Sequence, residues 1–300
     1  MRFVVALVLL SILAAPNLLR AEPLPAAIFT DPQADKAHPA GLYAFALPTG
    51  GVKVNAVLLT AQGAGPHPTV LLLHGFPGNE QNLDLAQAMR RAGWNVLTLH
   101  YRGSWGSPGA FTFAHVQEDA AAAVAWLRDP TTKAAAHIDP RKIVVMGHSM
   151  GGWATAFTVA RDPSLMGAAL ISAANMGGIG SALHFIAAKI VDDNMGASAG
   201  MHALAATPDG LADELVKNHK AYDFTVLNGG LSKHPLLLVT SDDGLAGESA
   251  ALAKSLRAAG DSSIAEVHIA TDHSYSNRRI ALEVAVLRWL ERLPGAPAGG

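Results

Sequence analysis

The 300-residue sequence contains no cysteine. That removes a disulfide framework, a thiolate metal site and a cysteine nucleophile from consideration. Charge is sparse as well: 15% of residues are charged, and 22 basic against 24 acidic side chains leave a formal net charge of −2. Neither sign dominates, so the composition carries no nucleic-acid or membrane-surface footprint. Hydrophobic residues make up 50% of the chain, which excludes a disordered polypeptide, where low hydrophobicity accompanies high net charge. His-Glu-x-x-His is absent and the 13 histidines are scattered, which argues against a zinc hydrolase. Gly-x-x-x-x-Gly-Lys-Ser/Thr is absent too, which argues against a phosphate-cradling NTPase. Neither a metal nor a cofactor is implied.

A long apolar run is also missing. Phe3 to Ala15 is apolar apart from Ser11, too short for a comfortable span of about 20 residues. It follows the positive Met1-Arg2 and precedes Leu19-Arg20-Ala21. Residues 1–21 therefore read as a secretory signal cleaved near Ala21, which predicts a secreted or periplasmic protein with no stable membrane span after cleavage. An uncleaved N-terminal anchor is the alternative.

The remaining length can bury a large core as one domain, or one with an insertion. Residues 22–41 are rich in Pro and Ala and read as an extended lead-in. Two strands over Leu42–Leu47 and Val52–Leu59 flank the turn Pro48-Thr49-Gly50-Gly51. Strand and helix then alternate. Strands are expected at Thr69–Leu73, Trp94–Leu99, Ile143–Met146, Gly167–Ile171, Leu236–Thr240 and Ile264–Ala270. Helices are expected at Leu83–Ala92, His115–Arg128, Gly151–Ala160, Ala246–Ala259 and Arg279–Leu293. Continuous apolar strands of this kind are buried on both faces, so the fold is α/β, a mostly parallel sheet covered by helices on both faces. Residues 294–300 read as a disordered tail.

Residues 175–234 break the alternation. No strand is evident there, and Leu183–Val191 and Leu211–His219 look helical. The segment reads as a helical insertion over one end of the sheet, a mobile lid hinged at Gly177-Gly178-Ile179-Gly180 and Gly229-Gly230. Phe185 and Ile186 would form an apolar wall for substrate.

The chemistry begins at Ile143-Val144-Val145-Met146-Gly147-His148-Ser149-Met150-Gly151-Gly152. Here Gly-x-Ser-x-Gly sits between a strand and a helix, a tight turn that lifts the Ser149 hydroxyl off the sheet as a nucleophile. With His74-Gly75-Phe76-Pro77-Gly78, an acid after a late strand and a histidine after the last one, the chain resembles the α/β-hydrolase superfamily over residues 42–293. Tyr101-Arg102-Gly103-Ser104-Trp105-Gly106 and Ile138-Asp139-Pro140-Arg141-Lys142-Ile143 look like segments that flank the active site in prolyl-oligopeptidase-type hydrolases.

The resemblance implies an eight-stranded α/β-hydrolase fold with a helical lid. It also implies an oxyanion hole from the backbone N–H groups of Phe76 and Met150, and a chain order of nucleophile, acid, base. On that order the base is His273, in a loop after the last strand, rather than His268 within it. Similar hydrolases place the acid about two residues past the strand before a turn, which favours Asp243 over Asp242. His148 is read as packing or a substrate-pocket wall, and His74 as structural. The expected activity is hydrolysis of carboxylic esters, with a small ester or acyl compound as substrate. A prolyl-oligopeptidase-type peptidase is the enzymatic alternative. A non-catalytic binder of an apolar ligand is the alternative from another class.

Overall fold

Val70–Leu73, Val144–Met146, Ala168–Ile171 and Leu236–Val239 are runs in which every side chain is buried. Side chains alternate across a strand, so each run must feed two hydrophobic layers at once. Leu71, Leu73, Val145, Leu170 and Leu238 enter one core. Val70, Leu72, Val144, Met146, Ile171 and Val239 enter the other. This is the physical basis of a three-layer α/β architecture.

The structure is a computed structural model and describes residues 23–183, 200–260 and 263–297. Its strands are β1 (Gly41–Thr49), β2 (Val52–Thr60), β3 (His67–Leu73), β4 (Asn95–Leu99), β5 (Ile138–His148), β6 (Gly167–Ile171), β7 (Leu236–Thr240) and β8 (Ile264–His268). They form one eight-stranded sheet in the order β1-β2-β4-β3-β5-β6-β7-β8. β1, β2 and β4 pair antiparallel, and the remaining pairs are parallel.

The helices are α1 (Leu83–Arg91), α2 (Phe113–Arg128), α3 (Pro130–Ala135), α4 (Met150–Arg161), α5 (Met176–Leu183), α6 (Pro208–Asn218), α7 (Asn228–Leu231), α8 (Ala246–Ala258) and α9 (Arg279–Glu291). Phe113, Val116, Trp153, Phe157, Leu252 and Leu256 bring α2, α4 and α8 to the first core. Leu85, Met89, Leu282, Val286 and Leu290 bring α1 and α9 to the second. At β3 and β5 the chain order reverses direction across the sheet, and the crevice beyond the carboxyl ends of such strands is where α/β sheets take ligands.

Several expectations shift at their edges, two of them for a clear physical reason. β5 starts at Ile138 rather than Ile143 because β3 extends back to His67, which pairs with Ile138. Asp129-Pro130 ends α2 but also starts α3: Pro130 opens that helix, and the Asp129 carboxylate accepts from the amides of Thr131 at 2.9 Å and Thr132 at 3.1 Å.

Three glycines of the insertion, Gly177, Gly180 and Gly230, are close-contact points within helices. Gly177 and Gly180 lie in α5, where a Cβ would fall 2.3 Å from the backbone of Asp223 and of Leu215 respectively. Gly230 lies in α7, and a Cβ there would meet the Ala160 carbonyl oxygen at 2.3 Å. Helix axes approach this closely only where the side chain is a hydrogen atom. The described part of the insertion is also tied down by hydrogen bonds. The Trp153 indole donates to the Tyr222 carbonyl at 2.7 Å, and Asn175 donates to Asp223 at 2.8 Å and Glu248 at 3.1 Å. Gly103, Trp105 and Phe111 exchange backbone bonds with residues 203 and 205. Phe185 and Ile186, and most of the helix expected at Leu183–Val191, lie outside the described residues. Among the described residues no helix is long and apolar enough to cross a membrane.

Glu214 of α6 is the strongest of these ties. Its carboxylate accepts from the Phe113 amide at 3.0 Å, the Ala114 amide at 2.8 Å and the Tyr222 hydroxyl at 2.7 Å. With the Thr112 side chain accepting from the His115 amide at 3.0 Å, it satisfies the orphan donors of the first turn of α2 and sets a negative charge at its positive end. Glu214→Ala is expected to lower unfolding free energy by about 2 kcal/mol, read by urea denaturation. Glu214→Gln, which keeps one acceptor oxygen, is expected to lose about half as much.

Candidate active site

β5 ends at His148 and α4 begins at Met150, which leaves a single residue to reverse the chain. Ser149 does so at φ 56°, ψ −122°, a conformation that costs a non-glycine residue of order 1–3 kcal/mol. The turn is held from both sides. The Ser149 amide donates to the Ile171 carbonyl at 2.9 Å, and the Ser149 carbonyl accepts from Gly152 at 2.9 Å and Ala174 at 3.1 Å. The flanking glycines are required by space. A Cβ on Gly147 would lie 2.2 Å from the Gly151 carbonyl oxygen, one on Gly151 2.2 Å from the Leu73 carbonyl oxygen, and one on Gly75 2.8 Å from the Ser149 Cβ.

The last contact brings the loop after β3 against the turn. Among the described residues, neither the Phe76 amide nor the Met150 amide donates to a protein acceptor. Two free N–H donors therefore flank the Ser149 turn, one of them at the positive end of α4. His74 holds the loop from behind. Its Nδ1 donates to the Gly75 carbonyl at 2.7 Å, and the Tyr101 hydroxyl donates to the His74 carbonyl at 3.0 Å. Burial pulls the His74 imidazole down to about 4, so it is neutral at pH 7.

The two adjacent aspartates separate. Asp243 turns inward, with 3% of its side chain exposed, and its Oδ2 lies 2.8 Å from His273 Nδ1. A carboxylate only accepts, so in the neutral ring Nδ1 carries the proton and Nε2 is left with a free lone pair. Burial acts to raise the Asp243 pKa, but hydrogen bonds from His273, the Leu245 amide, Ser172 and Ser241 outweigh it and bring the carboxyl down to about 2. Asp242 turns outward. Its Oδ1 meets His268 Nε2 at 3.1 Å, with side chains 62% and 52% exposed. His268 Nδ1 meets Thr240 Oγ1 at 3.0 Å. Asp272 accepts from the Ser276 amide at 2.8 Å, as a turn residue does.

His148 lies beneath His273 rather than on an open wall. It is 4% exposed, its ring centroid is 4.5 Å from that of His273, and its Nε2 donates to the His273 carbonyl at 2.8 Å. Burial, reinforced by the neighbouring His273, takes its imidazole down to about 4. His148 thus fixes the backbone of the loop that carries His273, from the residue next to Ser149. The structure brings Ser149, Phe76, Met150, His148, His273 and Asp243 to one end of the sheet.

Among the described residues no group of three or more His, Asp or Glu side chains could hold a metal ion. A groove of about 930 Å³ between β8 and α9, lined in part by Leu237, Val267, Ile269, Val284 and Trp289, includes none of Ser149, Asp243 or His273. Sequence reasoning missed the polar residues beneath Asp243. Ser172 follows β6, Ser241 follows β7, and Tyr275 lies two residues past His273. A small polar residue directly after a wholly apolar strand is the signal that could have marked the first.

The buried imidazoles set a pH dependence. His74 and His148 are each depressed from 6.5 to about 4 in the folded chain. The unfolded chain therefore binds their protons first as pH falls. Their stabilising contribution is full above about pH 6.5 and is lost as pH falls toward 4, with a slope approaching about 1.4 kcal/mol per pH unit for each. Urea unfolding between pH 7 and 4.5 is expected to show this loss, and His148→Gln is expected to remove about half of the slope.

Comparison with known proteins places these observations in context. Residues 70–296 match the family model described as alpha/beta hydrolase family. No curated protein matches the chain. Among solved structures, the acylaminoacyl peptidase of Pyrococcus horikoshii superposes with a TM-score of 0.65 at 13% identity, over 87% of this chain and 43% of that one. Est1E from Butyrivibrio proteoclasticus, with ferulic acid bound, gives 0.63 at 18% identity over 83% of this chain and 99% of that one. An esterase of Pyrobaculum calidifontis gives 0.61 at 21% identity over 84% of each chain. These likenesses show a shared fold. The chain spans less than half the length of the acylaminoacyl peptidase it matches.

Proposed function

The chain belongs to the alpha/beta hydrolase family, and from that premise we propose that it is a serine hydrolase acting on carboxylic esters. The observation that carries the reading is the strained Ser149 turn with two unpaired amide donors beside it. Ser149 Oγ attacks the ester carbonyl carbon while His273 Nε2 takes the hydroxyl proton. The amides of Phe76 and Met150 hold the oxyanion of the tetrahedral intermediate, where fixed dipoles are worth several kcal/mol. His273 returns the proton to the departing alkoxide, which leaves as an alcohol, and the acyl group stays on Ser149. Water then attacks the acyl-enzyme, His273 takes its proton, and the carboxylic acid is released. Asp243 keeps His273 in the tautomer with Nε2 free, and stabilises the imidazolium that forms at each step.

The ester reading is supported by the likeness of the fold to two proteins named as esterases, Est1E and the Pyrobaculum calidifontis esterase. A peptidase remains the second reading, on the strength of the 0.65 superposition. We also propose export to the periplasm or medium, from the charge and apolar pattern of residues 1–21.

A fluorophosphonate probe is expected to label the wild-type protein and not Ser149→Ala. No labelling of the wild type would leave a binder of an apolar ligand. p-Nitrophenyl esters should be turned over in preference to aminoacyl and prolyl anilides, and the opposite preference would make it a peptidase. Asp243→Asn is expected to lower kcat by about 10⁴-fold through the wrong His273 tautomer. Asp242→Asn, on the exposed pair, should change it by less than about threefold.

A further inference from the structure

The second core is incompletely covered at one edge. β8 is the last strand of the sheet, and Ala265 and Val267 of β8 and Ala281 of α9 pack on that core while staying partly open to solvent. With Ile269, Val284 and Ala285 they line the groove of about 930 Å³ between strand and helix, a size within the range of small-molecule sites. Exposed Leu24 and Ile280 stand in its lining as well. The charged part of the lining is of one sign: four arginines, at 278, 279, 288 and 292, and no Asp or Glu. Arg279 is committed to Asp84, and Arg288 donates to the Pro23 carbonyl at 3.3 Å. Arg278 and Arg292 are exposed and form no ion pair among the described residues. Along α9, Ala281, Val284, Ala285, Arg288 and Arg292 follow the three- and four-residue spacing of one helix face. That face therefore carries an apolar stretch that runs into positive charge.

We propose that this groove is a second binding site, for a single-chain anionic amphiphile: a free long-chain carboxylate. The inference does not rest on the hydrolase reading, since neither Ser149 nor Asp243 nor His273 lines the groove. The apolar floor takes the hydrocarbon chain and removes it from water. The arginines meet the head group, for which a guanidinium offers a planar fork of donors. Arg278 and Arg292 lie roughly 20 Å apart along the helix, so the groove has room for an extended chain with a charged residue at either end. Charge complementarity decides the occupant. A neutral apolar ligand has no use for the arginines, and a cationic one is repelled by them. A second copy of this chain seated on the face through a two-fold axis would add the same arginines to it, and like charges oppose that pairing. The apolar floor is recessed between strand and helix, out of reach of a flat bilayer, which favours the free amphiphile over a membrane surface.

The test is isothermal titration calorimetry with octanoate, decanoate and dodecanoate below their micelle concentrations. Kd is expected to fall about three- to tenfold with each two carbons added. Decanol and decyltrimethylammonium read the head group, and both should bind about tenfold more weakly than decanoate. Arg278→Gln combined with Arg292→Gln should weaken decanoate by about three- to tenfold and leave decanol unchanged. Ala285→Phe, which fills the groove, should abolish binding. The arginine variants alter exposed side chains, so they judge the proposal even where Ala285→Phe fails to fold. Trp289 lines the groove and reports the location: its indole N–H resonance in NMR, identified by its loss in Trp289→Phe, should shift as decanoate is added. A carboxylate held at the Ser149 site instead would leave that resonance and the arginine variants unchanged, and this result overturns the proposal. Equal affinity for decanoate and decanol overturns it too. So does binding to phosphatidylglycerol vesicles with none to free decanoate, or a dimer in sedimentation that Ala285→Phe dissociates.

Discussion

Three stretches of backbone converge within van der Waals distance at Ser149, and most of the site's geometry follows from that crowding. The strand must reverse into a helix in one residue, beside the end of β3 and the loop that follows it. Gly147, Gly151 and Gly75 each face a neighbour that a methyl group would strike at 2.2–2.8 Å. Because these positions are filled by hydrogen alone, the loop after β3 can lie against the turn. A longer connection would relieve the strain at Ser149, but would also move its hydroxyl away from the loop after β3. Strain and preorganisation here are one constraint seen from two sides.

The parallel sheet then supplies the remaining groups in order. β5, β6, β7 and β8 are neighbours, so residues just past their carboxyl ends emerge side by side. Ser149 follows β5, Ser172 follows β6, Ser241 and Asp243 follow β7, and His273 follows β8. No long-range bending of the chain is needed to assemble them. The continuous apolar runs that hold these strands between two cores therefore position the polar groups at their ends. Stability and site geometry share the same residues up to the last strand position and separate only beyond it.

This explains what could be seen in the sequence and what could not. Strands buried on both faces are apolar without interruption, so β3, β5, β6 and β7 were legible, and the strand-Gly-x-Ser-x-Gly-helix pattern located the turn. Asp243 and His273 were reached through chain order and loop position. The insertion was less legible, because glycine has two opposite uses. Gly177 and Gly180 looked like hinges, since glycine frees the backbone. In the structure they let α5 meet α6 and the chain beyond it at backbone contact, and only the partner segment, distant in sequence, distinguishes the two. Glu214 was invisible for a similar reason: its acceptors serve amides about 100 positions away. The buried hydroxyl contacts of Ser172 with Ser241 and Tyr275 join residues separated by 69 and 103 positions, and no local pattern records such a pairing.

The two aspartate–histidine pairs show how little sequence separates a surface contact from a shielded one. Thr240 and His268 are partners in the parallel ladder, so their side chains leave the sheet on the same face, and Asp242, two residues on, meets His268 from there. The register of β7 and β8 alone produces this outward pair. Water competes for both its members, which leaves the ring orientation weakly held and the interaction worth about 1 kcal/mol or less. Asp243, one residue further on, faces the opposite way. Its side chain is withdrawn from water, and its oxygens are met by His273 and the Leu245 amide. The same two functional groups at nearly the same spacing, 3.1 and 2.8 Å, thus differ in what surrounds them. Only the second is shielded enough from water to hold one tautomer of its imidazole firmly. The difference between them lies in the residues that desolvate the carboxylate and bind it.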